Sequence, residues 1–327
     1  MAENTTAVRG PYFDELTPGL VLTQPPAVTL TSGLQAAHAA VVGNRLSLAL
    51  DHELAHRVAG GPLAGPALVW DVSIGQSTVA TQHVKANLFY RGLWFHRQPL
   101  LGDTLRTTTT VVGLRENTRR VGRPSTGLAE LRITTVDHED RLVLDYRRCA
   151  MILLSPDAGP TGYADELSTG SGAWAPSDSL LSMTAWDLGA VPRPSGAAWE
   201  VGGTYDVVGG DVVSSAPELA RLTGNGALVH HDRRVGGGDR LVYGGHSIGL
   251  AFHHVCQVFP GLVTVAGWKA CDHLSPVREG DYLTSSVSIE GAQQVGDGLA
   301  ALDLHVTTSV AETPVLSWRP VVLVASG

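Results

Sequence analysis

Two stretches of this chain follow one pattern, roughly 180 residues apart. In the first, Pro99 stands shortly before a Gly102-Asp103 turn. In the second, Pro276 stands before Gly280-Asp281, with one extra residue between them. Each turn leads into a β-prone run, residues 106–112 and residues 284–289. Residues 130–136 then match 302–308, and 143–147 match 315–319, so three strands recur in the same order. The offset drifts to about 172 because the first copy carries a longer Arg- and Gly-rich hairpin over residues 115–127. A chain built this way folds as two similar units, and 327 residues suit two units of about 150.

Each copy also has a helical front. Residues 244–259 lack proline and carry Ile248, Leu250, Ala251, Phe252, Val255 and Val258 on most faces. A helix apolar almost all round is a buried one. Residues 62–74 play the same part in the first copy, with Pro66 marking the helix start. The expected class is α+β, a tandem (double) hotdog in which each unit is a curved antiparallel sheet wrapped around a long buried helix. The units span residues 1–154 and 197–327, joined by a Gly/Pro/Ser-rich linker over 155–196. Trp174 and Trp186 are expected to anchor that linker, and residues 179–183 read as a short helix.

Composition narrows the function classes. A net charge of −8 without a basic stripe argues against nucleic acid as a partner. No apolar run reaches membrane-spanning length, and the opening Met1-Ala2-Glu3-Asn4-Thr5 lacks an apolar signal core. A soluble, cytoplasmic protein is expected. Cys149, Cys256 and Cys271 share no metal-ligand spacing and read as buried thiols. No metal is expected, and His253-His254 read as structural.

The chemistry concentrates in residues 225–246. Asn225 stands five residues before His230, and Gly244-Gly245 opens the long second helix. A histidine is a base near neutrality, an amide orients water, and unpaired N–H groups at a helix start receive developing negative charge. Together they suit addition of water to an acyl thioester, or its removal. Each residue also has a plainer role open to it. Asn225 fits a turn, the glycines a helix entry, Tyr243 core packing, and His246 a backbone contact rather than a substrate contact. Residues 87–91 fit either a central strand or the cleft wall. Aligning Asn44 with Asn225 sets Ala49 opposite His230 and Asp51 opposite Asp232, so the first copy lacks the base. His52 and His56 near it fit a surface helix. For an anionic acyl group, Arg221, Arg233, Arg234, Arg240 and Lys269 are the cations in range, Arg221 and Arg240 foremost.

Thr223-Gly224-Asn225-Gly226-Ala227-Leu228-Val229-His230 resembles the hydratase motif of the MaoC-like family of R-specific enoyl-CoA hydratases and dehydratases. Arg240-Leu241-Val242-Tyr243-Gly244-Gly245-His246-Ser247-Ile248 is similar to one branch, the double-hotdog mesaconyl-CoA (2-methylfumaryl-CoA) hydratases or β-methylmalyl-CoA dehydratases. Phe13-Asp14-Glu15-Leu16, Gly43-Asn44-Arg45 and Gly102-Asp103-Thr104-Leu105 fit the same branch. The resemblance implies a hydro-lyase acting on an unsaturated acyl-CoA, with His230 as acid/base and Asn225 holding water or substrate. Gly244 and Gly245 would receive the thioester oxygen. It implies no cofactor beyond the CoA of the substrate, and it is compatible with an oligomer of double-hotdog subunits. A plain R-specific enoyl-CoA hydratase, a biosynthetic acyl-thioester dehydratase, a hotdog thioesterase and a non-catalytic acyl-CoA-binding protein are the alternatives.

The family's usual form has Asp where this chain has Asn225. A neutral amide there removes a repulsion with a substrate that carries its own carboxylate. Asn225→Asp is therefore expected to slow hydration of a carboxylated enoyl-CoA more than that of a neutral one. Rates falling in the opposite order would contradict the idea.

Overall fold

The computed structural model describes residues 8–23, 25–167, 183, 186–192, 199–296 and 298–325. The opening residues 1–5, Trp174 and residues 179–182 of the expected short helix lie outside the described residues.

Strands form where β-branched and apolar residues alternate. In the first unit they are β1 (Val21–Leu22), β2 (Val28–Thr29), β3 (Val84–Phe95), β4 (Thr104–Glu116), β5 (Thr126–Val136) and β6 (Leu142–Leu153). In the second they are β7 (Thr204–Asp206), β8 (Asp211–Val212), β9 (Leu262–His273), β10 (Tyr282–Gly296), β11 (Leu299–Val310) and β12 (Thr313–Ala325). Leu105, Thr107, Thr109 and Val111 on β4 face inward at period two, as do Leu302, Leu304, Val306 and Thr308 on β11. The six runs expected as strands all lie within these elements. The hairpin between β4 and β5 is the longer one, against a two-residue connection between β10 and β11.

All these strands join one antiparallel sheet in the order β1-β4-β5-β6-β3-β9-β12-β11-β10-β7, with β2 on β4 and β8 on β10. The halves of that order mirror each other about the pairing of β3 with β9, where Arg91 lies opposite Ala270. An Arg91–Asp272 ion pair of 2.6 Å crosses the seam.

Six helices complete the described fold: α1 (Ser32–Val42), α2 (Ser47–Leu50), α3 (His52–Ala59), α4 (Pro66–Gln76), α5 (Ala216–Leu222) and α6 (Gly244–Val258). Every residue of α4 is buried, and it begins at Pro66 with Gly65 as its N-cap. Pro66 is tolerated there because its missing N–H would have had no intrahelical partner. In α6 nearly every residue from Gly245 to Cys256 is buried. These two helices are the centres of the two units, and one continuous apolar core runs through both. His52 and His56 lie on the exposed face of α3. No helix among the described residues is long and apolar enough to cross a membrane.

The described parts of the linker are tied down. Asp14 accepts from both the backbone and the hydroxyl of Ser155, and Glu116 does the same for Thr161. Met183, Trp186, Leu188 and Val191 pack with Leu54, Ala55 and Val58 of α3.

The second unit leans on the first at several tight points, Gly75 among them. Gly75 near the end of α4 lies so close to the loop after α5 that a Cβ there would sit 1.9 Å from the Thr223 carbonyl oxygen. Gly75→Ala must push that loop away. It is expected to cost about 1–3 kcal/mol, as overpacking of a tight core does, and to lower Tm by several degrees. An unchanged melting curve would show that the loop yields freely.

Candidate active site

The loop after α5 is shaped by its own polar groups. Gly224 takes φ +69°, a left-handed turn that glycine adopts without Cβ strain. Asn225 is buried, and its Oδ1 accepts from the Ala227 N–H at 3.0 Å, an Asx turn. Gly226 N–H donates to Thr78 Oγ1 at 2.9 Å, tying the loop to the turn that follows α4. His231 Nε2–H donates to the Asn225 carbonyl at 2.7 Å. Asn225 thus has the turn role open to it from sequence. Its Nδ2 has no protein acceptor among the described residues, so the amide keeps a donor for a ligand or water.

His230 closes a short 3₁₀ turn, Leu228–His230. Its Nδ1–H donates to the Leu241 carbonyl at 2.7 Å. That bond fixes the tautomer, so Nε2 carries the lone pair. Burial pushes the His230 pKa down to about 4, against the opposing pull of the Leu241 carbonyl. At neutral pH the ring is uncharged and able to accept a proton.

The start of α6 is braced from the first unit. Tyr243, its N-cap, is buried, and its hydroxyl donates to Asp71 Oδ1 at 3.2 Å. Asp71 Oδ2 lies 2.8 Å from His38 Nε2. Burial pushes the Asp71 carboxyl up, partly offset by His38. The Gly244 and Gly245 amides have no acceptor among the described residues. A Cβ on Gly244 would lie 2.6 Å from His273 Nε2, so only glycine lets that imidazole reach the helix end.

A cavity of about 580 Å³ opens between the units, a size that suits a small-molecule site. Asn225, His230, Tyr243 and Gly244 all line it, as do Asn87 and Leu88 of the central strand β3. The other residues expected at the site lie outside its lining. Gly245 packs on Asp71 and the Tyr243 ring, where a Cβ would sit 2.0 Å from Asp71 Oδ1. His246 is fully buried, with neither ring nitrogen hydrogen-bonded, and burial followed by the His38 charge lowers its pKa to about 4. Arg221 pairs with Glu218 on an exposed helix face, and Arg240 donates to the His231 carbonyl. Arg233, Arg234 and Lys269 pair with Asp239, Asp232 and Asp303, away from the cavity. Asp232 pairs with Arg234. His254 is structural, held between Ser285 and Asp211.

Arg148 and His273 are among the cavity-lining residues that sequence reasoning missed. Arg148 on β6 is 3% exposed, and His273 ends β9 with its Nε2 buried and without a partner. Burial lowers the His273 pKa to about 4. Arg148 had a signal. Consecutive arginines on one strand point to opposite faces, so one of Arg147 and Arg148 must face inward. Exposed Lys85 and half-buried Arg278 also line the cavity, where they suit the phosphates of a nucleotide carrier. Among the described residues no cluster of three or more His, Cys, Asp and Glu side chains forms a metal site.

The first unit repeats this backbone turn with different side chains around it. Gly43 takes φ +74°, and Asn44 Oδ1 accepts from Leu46 N–H at 3.0 Å, the same turn as at Asn225. Ala49 stands where the second unit has His230. Gln35 then bridges the place, donating to the Ala49 carbonyl at 2.8 Å and accepting from Gly65 N–H at 2.7 Å. The helix N-terminus that could hold a ligand's oxygen is taken by the protein's own side chain.

No family model matches the chain. It is 28% identical over 310 residues to the mesaconyl-CoA hydratase of Cereibacter sphaeroides, covering 90% of this chain and 88% of that one. It is 28% identical over 311 residues to the β-methylmalyl-CoA dehydratase of Chloroflexus aurantiacus, covering 88% and 86%. Among solved structures, a conserved hypothetical protein of Mycobacterium tuberculosis with a double hotdog fold is 50% identical, with a TM-score of 0.86 over 96% of this chain and 98% of that one. A Chloroflexus aurantiacus protein assigned as a MaoC domain dehydratase shares the fold at 23% identity, with a TM-score of 0.86 over 99% and 100%. With its duplicated units and its Asn225–His230 turn beside the start of α6, the chain is a double-hotdog protein similar to mesaconyl-CoA hydratase and β-methylmalyl-CoA dehydratase.

Proposed function

We propose that this protein catalyses reversible hydration and dehydration of an α,β-unsaturated acyl-CoA, with mesaconyl-CoA and β-methylmalyl-CoA as the favoured pair. The observation that carries the proposal is His230. Its Nδ1–H is committed to the Leu241 carbonyl, and the residue lines a cavity beside a free amide donor and an uncapped helix start. The curated relatives, named for mesaconyl-CoA hydration and β-methylmalyl-CoA dehydration, support the substrate class.

In the hydration direction, His230 Nε2 takes a proton from a water held by Asn225 Nδ2. The hydroxide oxygen bonds to the β-carbon, and the π electrons move to the thioester oxygen as an enolate. The Gly244 amide at the start of α6 receives that charge. The imidazolium then returns its proton to the α-carbon, so one water is added and His230 is regenerated. Dehydration runs the same steps backwards. Asn225 cannot accept the proton, which leaves acid/base work to the histidine.

Incubating several enoyl-CoAs with the protein should yield products heavier by one water. Release of free CoA thiol in place of that mass gain would point to a thioesterase and defeat the proposal. His230→Ala should lower kcat/KM for hydration by roughly 10²–10⁴-fold while the fold is retained, the scale of losing a general base. If activity survives the substitution, the base is another group.

The kcat/KM profile should also carry an acid limb set by His230. Protonation removes the base, so activity falls as pH drops through about 4 rather than through 6.5. A limb centred on the ordinary histidine value would show that water reaches the ring freely.

A further inference from the structure

Arg148 is a cation held inside the protein without a counter-ion among the described residues. It is 3% exposed on β6, and the cavity lined by His230 and Asn225 is lined by it too. Its Nη2 donates to Thr81 Oγ1 at 2.6 Å and to the Ser77 carbonyl at 3.3 Å, while Nε is buried with no acceptor. No carboxylate pairs with it among the described residues. The neighbouring arginines differ: Arg91 has Asp272, Arg132 has Asp145 and Arg147 has Glu130. A buried charge left uncompensated is strongly destabilising, and proteins retain one where a ligand supplies the opposite charge.

Two anions of an acyl-CoA could fill that place, a phosphate of the carrier or a carboxylate of the acyl group. Location favours the second. Arg148 is held by the turn after α4, residues 77–81, and Thr78 of that turn accepts from Gly226 N–H beside Asn225. It therefore stands with the reacting groups, whereas Lys85 is exposed and Arg278 is half-buried at the same cavity. The neutral Asn225 fits this arrangement, because an aspartate there would compete for the guanidinium.

We propose that Arg148, contributed by the first unit, is the counter-ion for a carboxylate on the acyl group, and that it selects dicarboxylic over monocarboxylic thioesters. The proposal rests on the acyl-CoA reading above, so its test is a binding measurement that needs no turnover. Succinyl-CoA and butyryl-CoA, both saturated and unable to be hydrated, are titrated calorimetrically into the wild-type protein, Arg148→Gln and Arg148→Lys. The wild type should bind succinyl-CoA at least about tenfold more tightly than butyryl-CoA, as a desolvated ion pair gives. Arg148→Gln should abolish that preference by weakening succinyl-CoA alone, and Arg148→Lys should restore part of it.

Equal weakening of both ligands would assign Arg148 to the CoA phosphates and overturn the proposal. So would a wild type without preference, a result that stands even where a variant fails to fold. A preference that depends on Arg148 in a protein that hydrates no enoyl-CoA would uphold the counter-ion role and discard the reaction instead.

Discussion

The antiparallel pairing of β3 with β9 turns two curved half-sheets into one and fixes where everything else lies. Each half-sheet wraps its own helix, α4 or α6, and each unit alone would leave one edge strand unpaired. Joining those edges sets the end of α4 against the loop after α5, and it brings the turn at Ser77–Ala80 beside Asn225. The cavity exists only because both units wall it. His230, Asn225 and Gly244 come from the second, and Arg148, Tyr90 and Asn87 from the first. A duplicated unit therefore gives more than stability: the copy without a base still supplies half of the site.

That division explains what could be read from the chain beforehand. Local pattern carried the repeat, the strands, the buried helices and the start at Pro66, because each follows from period, propensity or a fixed φ within one segment. It also carried His230, Asn225 and Gly244, which lie within one stretch. It did not carry Arg148 or His273, because their relevance comes from the packing of β6 and β9 against another unit's loop. Nearness in sequence pointed instead to Arg221 and Arg240, which end on or near the surface with partners of their own. Gly245 and His246 show the same limit on a smaller scale. A helix turns about 100° per residue, so neighbours of Gly244 point away from the cavity even though they share its motif.

The two copies of the Asn turn show how one backbone serves two ends. Gly43-Asn44 and Gly224-Asn225 make the same left-handed glycine and the same side-chain-to-backbone bond. In the first unit Gln35 satisfies both the Gly65 N–H at the helix start and the Ala49 carbonyl. In the second, the corresponding amides, the Asn225 Nδ2 and the His230 lone pair are left for something else. Unsatisfied polar groups near a cavity cost stability, and they are retained where a ligand completes them.

The electrostatics of the cavity then couple binding to chemistry. His230 is held neutral chiefly by burial, and the Arg148 charge is among the lesser causes that lower its proton affinity. A base whose pKa is about 4 is a weak one. On the proposed reading, a substrate carboxylate seated on Arg148 cancels that charge and adds a negative one in the same low-dielectric space. Both changes raise the proton affinity of His230 when water must be deprotonated. A monocarboxylic acyl group brings neither change, so it meets the weaker base even where it fits the cavity. The neutral Asn225 matters here as well. An aspartate would hold the histidine's basicity up permanently and neutralise Arg148 in the empty site, which removes the dependence of the base on its substrate.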